Sequence, residues 1–351
     1  MVLNQSSAAF AAALLVATVA ATPAEPAEVA GEYRVLRRQM VGGGEGGYDY
    51  VNLDEKLRRI YIARGGEDKT PGRVMVFDLD TLKQVGEIPE VRANGVAIDT
   101  KNDHGFAGSS PVLMFDSKTL KPIRTIDVTA PPDGMFFDAL NERIYVLSHG
   151  TPGATVLDSR SGNVLTTIDL GGMPDQMVSD GAGRLYSNLL DKASIVAIDA
   201  RTMTVAAHYG LDGKGGQCPG IAMDVRNGVI FAACRNPQNM VMLAADTGKV
   251  LASVPIGWAS DGAAFIPQTR EAFSANADGT LTVVRELGRT DFSVVQTVAT
   301  TKNAKTLALD ARTRHLILIG ADYIGTPPGT SRTSPAGTMV PGTLSLLVVG
   351  K

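Results

Sequence analysis

The chain has 351 residues with 33 basic and 36 acidic side chains, which give a formal net charge of −3. This mild acidity, without long runs of one sign, argues against nucleic-acid binding, which needs a basic surface. Glycine (38) and proline (18) are frequent and aromatic residues make up 5%, a composition that favours short strands joined by tight turns.

The N-terminal segment resembles an export signal. Residues Ala8 to Ala21 are small or apolar except for Thr18, and the segment ends in VAA, a suitable cleavage motif. Such a stretch is too short to span a bilayer, so we predict a cleaved signal peptide at 1–21 and a flexible leader at 22–31. The mature protein is then periplasmic or secreted, without a stable membrane span. The alternative is an N-terminal membrane anchor, because no Lys or Arg precedes the apolar stretch.

Two kinds of sequence element alternate along the rest of the chain. One is a short apolar strand, usually an Asp, a turn and a second apolar strand, as in DGMFFDALNERIYVLS. The other is VMVFDLDTLKQVGEI at 74–88, which returns as VLMFDSKTLKPIRTI at 112–126. Together they predict a four-stranded antiparallel sheet. The seven units begin at Asp49, Asn94, Asp133, Asp175, Pro219, Asp261 and Lys305, at spacings of 39–45 residues.

Seven such sheets predict an all-β fold, a seven-bladed β-propeller that forms a single domain over 32–351. One sheet cannot bury both faces alone, whereas a radial array of sheets can. The last unit has strands at 305–310, 315–320 and 343–349 but no fourth strand, and residues 32–44 contain a strand without the preceding three. We therefore expect the N-terminal strand to complete the seventh blade.

Several stretches resemble the YVTN-repeat, YncE-like family of exported seven-bladed propellers. They are GGGEGGYDYVNLD, IYIARGG, GRVMVFDLDTLKQVGEI, DGTLTVVRE and MVPGTLSLLVVGK, and the resemblance covers residues 32–351. It implies a periplasmic or secreted propeller whose biochemical role is mostly unassigned. Relatives often carry His-Gly where this chain has Asn94-Gly95, so a site that needs that histidine does not transfer.

Two rings of side chains are predicted to meet at one opening of the central channel, which we call the mouth. The starts of the inner strands and the turns between second and third strands open on this face. The inner ring contains Asp49, Asn94, Asp133, Asp175, Asp261 and Lys305. The outer ring, at the ends of the second strands, contains Arg64, Ser109, His149, Asn188, Arg235 and Asn276. All these residues except Ser109 are our candidates for ligand binding.

The four aspartates of the inner ring have two interpretations. Carboxylates around a narrow opening repel one another unless a cation or basic side chains neutralise them, so Asp49, Asp133, Asp175 and Asp261 are candidates for a divalent cation such as calcium. The structural alternative is that an Asp or Asn at the start of a strand satisfies local backbone donors. His149 is a weak candidate for a general base, and a solvated turn histidine is its alternative.

The two cysteines flank one predicted hairpin. Antiparallel pairing places position 219 opposite position 234, so the sulfurs of Cys218 and Cys234 lie close together. In an oxidising compartment we expect a disulfide, and the alternatives are a metal pair or a redox dithiol. The GGGEGG segment at 42–47 joins two strands and opens no helix, which argues against a phosphate-binding loop.

The sequence leaves two functions open. The first is an exported binding or scaffold protein, a monomer that takes a small molecule, a peptide or a protein partner at the acid-rimmed mouth. The alternative is a cation-dependent enzyme of the lactonase or lyase type with its site at the same mouth. Propellers host both kinds of function, so the fold does not choose between them. No organic cofactor is indicated.

Overall fold

The computed structural model describes Met1 and residues 31–41, 47–65, 71–325 and 337–351. The predicted signal peptide at 1–21 and leader at 22–31 lie outside the described residues, apart from Met1 and Gly31. Residues Glu32–Lys351 form one compact unit. Its described regular structure is entirely β-strand. Among the described residues there is no helix with the length and apolarity to cross a membrane.

The strands form seven four-stranded sheets, which confirms the predicted propeller. The chain begins with β1 (Arg34–Met40). Blade one contains β2 (Tyr48–Asp54), β3 (Arg59–Arg64), β4 (Arg73–Asp78) and β5 (Gln84–Pro89). Blade two contains β6 (Val96–Asp99), β7 (His104–Ala107), β8 (Val112–Asp116) and β9 (Pro122–Ile126). Blade three contains β10 (Met135–Asp138), β11 (Arg143–Leu147), β12 (Gly153–Asp158) and β13 (Val164–Asp169).

The remaining blades follow the same order. Blade four contains β14 (Pro174–Ser179), β15 (Arg184–Leu189), β16 (Ser194–Asp199) and β17 (Thr204–Gly210). Blade five contains β18 (Gly220–Asp224), β19 (Val229–Ala233), β20 (Asn239–Ala244) and β21 (Val250–Pro255). Blade six contains β22 (Ser260–Ile266), β23 (Glu271–Asn276), β24 (Thr280–Gly288) and β25 (Asp291–Ala299). Blade seven contains β26 (Thr306–Asp310), β27 (His315–Gly320) and β30 (Ser345–Gly350), with a small hairpin of β28 (Tyr323–Ile324) and β29 (Thr338–Met339) inserted before β30.

The N-terminal strand completes blade seven, as the sequence predicts. Strand β1 pairs antiparallel with β30, and the sheet order is β1-β30-β27-β26. A buried carboxylate of blade six holds this closure. Glu271 is 1% exposed. It accepts a hydrogen bond of 2.7 Å from the Tyr33 hydroxyl and forms ion pairs with Arg285 at 2.6 Å and Lys351 at 3.3 Å.

The apolar residues of the strands pack between neighbouring blades. The described residues form seven hydrophobic clusters, each shared mainly by two adjacent blades. In the cluster between blades seven and one, Ile60 and Ile62 meet Ile317 and Ile319. Each such fully buried side chain contributes roughly 1.5–3 kcal/mol, so the stability of a blade depends on both of its neighbours.

Every blade carries a β-bulge where its outer strand pairs with the strand inside it. The residue skipped by the register is apolar in each blade: Leu36, Val85, Ile123, Leu165, Ala206, Leu251 and Val295. Bulges twist and interrupt an edge strand. Each bulge therefore interrupts its outer edge at one residue, which hinders pairing with another chain along the whole length of that edge.

Candidate functional site

The inner ring of the mouth lies at the starts of the inner strands. Asp49, Asp175 and Asp261 lie in the first residues of β2, β14 and β22. Lys305 directly precedes β26, and Asp133 lies two residues before β10. Asp175, Asp261 and Lys305 are buried, and Asp49 and Asp133 are half-buried. The aspartate side chains therefore face one another across a narrow opening.

The residue after each inner-ring position determines how closely the inner strands of neighbouring blades can approach one another. It is glycine in four blades, at Gly95, Gly134, Gly220 and Gly262. A Cβ atom on Gly134 would lie 2.2 Å from the Asp175 carbonyl oxygen, so a side chain does not fit there. Blades one and four carry Tyr50 and Gln176 at this position. Both side chains reach residues of other blades around the mouth.

One side of the mouth, which we call the acidic side, consists of Asp133, Asp175, His149 and Tyr50. The Tyr50 hydroxyl donates a hydrogen bond to the Asp175 carboxylate and lies 3.5 Å from Asp133 Oδ2. Asp133 accepts a hydrogen bond of 3.0 Å from the Asn94 amide and lies 3.3 Å from His149 Nε2. Ligand atoms of Asp133, His149 and Asp175 all lie within 4.8 Å of one another.

The opposite side of the mouth is neutralised by basic side chains. Asp261 forms ion pairs with both Lys305 and Arg235. Arg235 also donates from Nε to the Ser260 carbonyl at 3.0 Å, which fixes its guanidinium. By contrast, no Lys or Arg among the described residues pairs with either Asp133 or Asp175. The mouth therefore has a paired side and an under-neutralised acidic side.

The acidic side disfavours ionised carboxylates. Burial raises the pKa of Asp175 well above its ordinary range, and the charges of Asp261 and Asp133 raise this pKa further. The hydrogen bond from Tyr50 opposes that shift. Burial also raises the pKa of Asp133, against the opposing influence of His149. A positively charged ligand at the acidic side would therefore stabilise the ionised carboxylates that burial disfavours.

The paired side behaves differently. Burial by itself would raise the pKa of Asp261, but Lys305 and Arg235 outweigh it and hold this pKa below its ordinary value. Burial raises the pKa of Asp49 to about 7, in spite of the nearby charge of Lys305. Asp261 is therefore an ionised partner of two cations, while Asp49 titrates near neutral pH.

The outer ring contributes two residues to the mouth, His149 and Arg235. Three others are buried among backbone and hydroxyl groups. Arg64 donates to the Gly47 carbonyl at 3.2 Å, Asn188 to a carbonyl of the next blade at 3.0 Å, and Asn276 to two threonine hydroxyls at 3.1 Å. Ser109 donates to a carbonyl of its own loop at 2.6 Å. These contacts give the four side chains structural partners.

The sequence analysis did not identify Tyr50 and Gln176. Gln176 donates to the Asp261 carbonyl at 3.2 Å and accepts from the Ile221 amide at 3.4 Å, so it connects blades four, five and six. The available signal was their position, because both replace the glycine found in four other blades. A long polar side chain that replaces glycine at a repeated, crowded position has to extend into the remaining space.

The predicted disulfide is present beside the paired side of the mouth. Cys218 and Cys234 are bonded at a sequence separation of 16 residues, and both are buried. Cys234 directly precedes Arg235 in the loop after β19. The crosslink therefore holds the loop from which Arg235 reaches Asp261.

Comparison with solved structures confirms the fold. The chain is similar to the crystal structure of the RRP9 WD40 repeats, with a TM-score of 0.73 and 10% identity over 91% of this chain and 100% of that chain. It is similar to the structure of U3-55K, with a TM-score of 0.71 and 11% identity over 90% of this chain and 98% of that chain. At this identity the likeness shows the WD40-like propeller fold. No protein-family model and no curated protein matches the sequence.

Proposed function

We propose that this protein is an exported binding or scaffold protein whose mouth takes a positively charged group of a small molecule, a peptide or a partner protein. The disulfide supports export, because disulfides persist in oxidising compartments. The resemblance to YVTN-repeat propellers supports the same location. We also propose that the chain belongs to the YVTN-repeat family.

The observation that carries the proposal is the unequal neutralisation of the mouth. Asp261 has two basic partners, whereas Asp133 and Asp175 share a tyrosine hydroxyl, an asparagine amide and an imidazole. An ammonium or guanidinium group placed between the two carboxylates would replace the proton that they hold and would make charge-assisted hydrogen bonds. A neutral or anionic ligand would gain neither contribution.

The test uses the single tryptophan of the chain as a reporter. Trp258 is 38% exposed in the connection that leads into β22, close in sequence to Asp261. We expect spermidine or arginine amide to change its fluorescence and to raise the thermal unfolding midpoint by mass action. The double variant Asp133→Asn/Asp175→Asn should lose both responses.

The matched control is Asp127→Asn. Asp127 is exposed in the connection after β9, and its side chain forms no hydrogen bond or ion pair among the described residues, so this variant changes the net charge without changing the mouth. It should keep the wild-type response. The proposal is wrong if both probes leave fluorescence and midpoint unchanged in the wild type, or if the double variant responds as strongly as the wild type.

The second candidate function is a metal-dependent enzyme at the acidic side. Asp133, His149 and Asp175 offer two oxygens and one nitrogen within 4.8 Å of one another. An imidazole ligand favours zinc over calcium, which prefers six to eight oxygen ligands. Because His149 is exposed, such an ion would keep positions open for water or substrate, as catalytic metal sites do. The ion would then act as a Lewis acid in lactone hydrolysis or lyase chemistry.

The two candidates are separated by one further variant. His149→Ala should abolish binding of zinc in calorimetric titrations, because two carboxylates without an imidazole are a poor site for this ion. It should leave spermidine binding in place, since that depends on the carboxylates. If zinc, manganese and calcium give no binding heat with the wild type, the metal candidate is contradicted while the binding proposal stands.

A further inference from the structure

A broad cleft opens between blades four and five on the face opposite the mouth. Its volume is about 1100 Å³, and its walls are hairpin turns of these two blades. The outer hairpin of blade six forms a third wall. Strands β24 and β25 each have nine residues, and the tip between them brings Arg289 and Thr290 to the cleft. The cleft is therefore walled on three sides.

The cleft is basic, although the whole chain is acidic. Four basic side chains line it, those of Arg184, Arg226, Lys249 and Arg289, against the two acidic side chains of Asp180 and Asp246. Asp180 is occupied by three backbone amides of its own turn, at 2.7–2.9 Å. Among the described residues, the side chains of Arg226, Lys249 and Arg289 form no hydrogen bond or ion pair. We call these the three unpaired cations.

Several turn cations elsewhere on this face form ion pairs. Lys56 of blade one and Lys118 of blade two both pair with Asp103, at 2.6 and 2.7 Å. Lys101 of blade two pairs with Glu142 of blade three. The pairs of Lys56 with Asp103 and of Lys101 with Glu142 join the turns of neighbouring blades. Among the described residues, the three unpaired cations form no such ion pair between blades four and five. Their charges are therefore available to carboxylates of a binding partner.

The nearest buried carboxylate does not neutralise them either. Glu286 of blade six lies in a smaller adjoining pocket of about 300 Å³, which Arg226 and Arg289 also line. It accepts a hydrogen bond of 2.9 Å from Asn227 and pairs with Arg270 at 3.2 Å. The lining of the cleft therefore keeps an excess of positive charge.

The floor and the outer side of the cleft suit an extended peptide. Met223 and Leu251 form part of an apolar floor, next to Tyr186 and Tyr209. Strand β17 is the outermost strand of blade four, so one of its edges has no strand partner among the described residues. Its residues 206, 207 and 209 line the cleft. An extended chain could add main-chain hydrogen bonds to this edge and place alternate side chains on the floor.

We propose that the cleft between blades four and five binds an acidic segment of a partner protein in extended conformation. The three unpaired cations would face its carboxylates, and its apolar side chains would occupy the floor. This second site is independent of the mouth. The exposed strand edge favours a peptide over a nucleic acid, because a nucleic acid has no backbone amides that could pair with a strand.

The probe is a fluorescein-labelled peptide of about ten alternating Glu and Val residues, long enough to follow the cleft. Fluorescence anisotropy at low ionic strength should show binding. A Lys-Val peptide of the same length should not bind to the mouth variant Asp133→Asn/Asp175→Asn, in which the acidic side no longer offers two carboxylates to its ammonium groups. The double variant Arg226→Glu/Arg289→Glu should weaken binding at least about tenfold. The control Lys83→Glu/Lys121→Glu, with the same charge change on exposed turns of blades one and two, should change it less than about twofold.

Two further measurements address the mode of binding. A Glu-Val peptide methylated at alternate backbone nitrogens should bind at least about tenfold more weakly, because it loses strand pairing. The mouth variant Asp133→Asn/Asp175→Asn should bind the unmodified peptide as the wild type does. The proposal is overturned if the Glu-Val peptide does not bind, if the control variant loses as much affinity as the cleft variant, if methylation has no effect, or if a ten-nucleotide single strand binds more tightly.

Discussion

The hydroxyl of Tyr50 supplies the hydrogen bond that Asp175 receives in the mouth, where no basic side chain among the described residues pairs with it. We expect Tyr50→Phe to lower the free energy of unfolding by about 1–3 kcal/mol at alkaline pH. The loss should shrink as the pH falls, because the raised pKa of Asp175 leaves a protonated carboxyl that needs no donor. Urea unfolding at several pH values measures this difference.

The matched control for this prediction is Tyr209→Phe. The Tyr209 hydroxyl donates to the Ala245 carbonyl at 3.3 Å, and a carbonyl does not titrate. The control should therefore lower the free energy of unfolding equally at all these pH values. If the cost of Tyr50→Phe is also independent of pH, the assigned role of the Tyr50 hydroxyl is wrong.

At the residue scale, the sequence predicted the candidates of the mouth but not their partners. The repeat fixes which residues begin the inner strands, so Asp133, Asp175 and Asp261 could be placed on one face. Which of them receives Lys305 and Arg235 depends on side-chain rotamers across the channel, and strand periodicity carries no information on these. The contact of Tyr50 with two other blades was missed for the same reason.

At the element scale, strand β1 depends on Glu271. We expect Glu271→Gln to lower the free energy of unfolding by about 1.5–3 kcal/mol, because it removes charge-assisted contacts of Arg285 and Lys351 with this buried carboxylate, while both cations keep access to water. Although burial opposes ionisation, Arg285 and Tyr33 hold the pKa of Glu271 below its ordinary value. Its contribution is therefore present above the ordinary glutamate pKa and is lost as the pH falls through the lowered pKa in the folded protein.

Chemical unfolding at neutral and acidic pH checks the Glu271 prediction. Glu87→Gln is the control, because Glu87 is 46% exposed and lies 3.8 Å from Arg73, so the change should stay within about 0.5 kcal/mol. The contacts of Glu271 do not stabilise the closure if Glu271→Gln and Glu87→Gln unfold at the same denaturant concentration.

The disulfide also stabilises a single structural element, the hairpin of β18 and β19. Replacing Cys218 and Cys234 by alanine should lower the free energy of unfolding by no more than about 3 kcal/mol, because the bond closes a short loop that hairpin pairing already holds. Mass spectrometry of the unreduced, alkylated wild type should find no free thiol. Alkylation of both cysteines in freshly isolated protein would contradict the assignment.

The sequence predicted the elements well because each hairpin carries its own turn residues and apolar strands. The unit count, the closing strand and the disulfide all follow from patterns that recur in each blade. The extended hairpin of β24 and β25 was not predicted. Two longer strands in this blade keep the same order of apolar strands and turn residues in the sequence. The basic cleft that this hairpin completes was therefore missed as well.

At the scale of the whole molecule, closure by β1 joins the two ends of the propeller. A chain that begins at Gly42 lacks β1, so it exposes the edge of β30 and part of the cluster shared by blades six and seven. Its thermal unfolding midpoint should fall in a single transition, because each blade is packed on both neighbours. A chain that begins at Gly31 keeps β1 and is the control. Equal midpoints for the two chains would contradict the closure.

The most direct test of the under-neutralised mouth is the number of protons released when a cation binds. Calorimetric titration of the wild type with spermidine, in two buffers of different ionisation enthalpy near neutral pH, gives this number. We predict release of protons on binding, because spermidine replaces the protons held by the carboxylates with raised pKa values. The release should vanish in Asp133→Asn/Asp175→Asn. Spermidine binding without proton release, or no binding at all, would contradict the account.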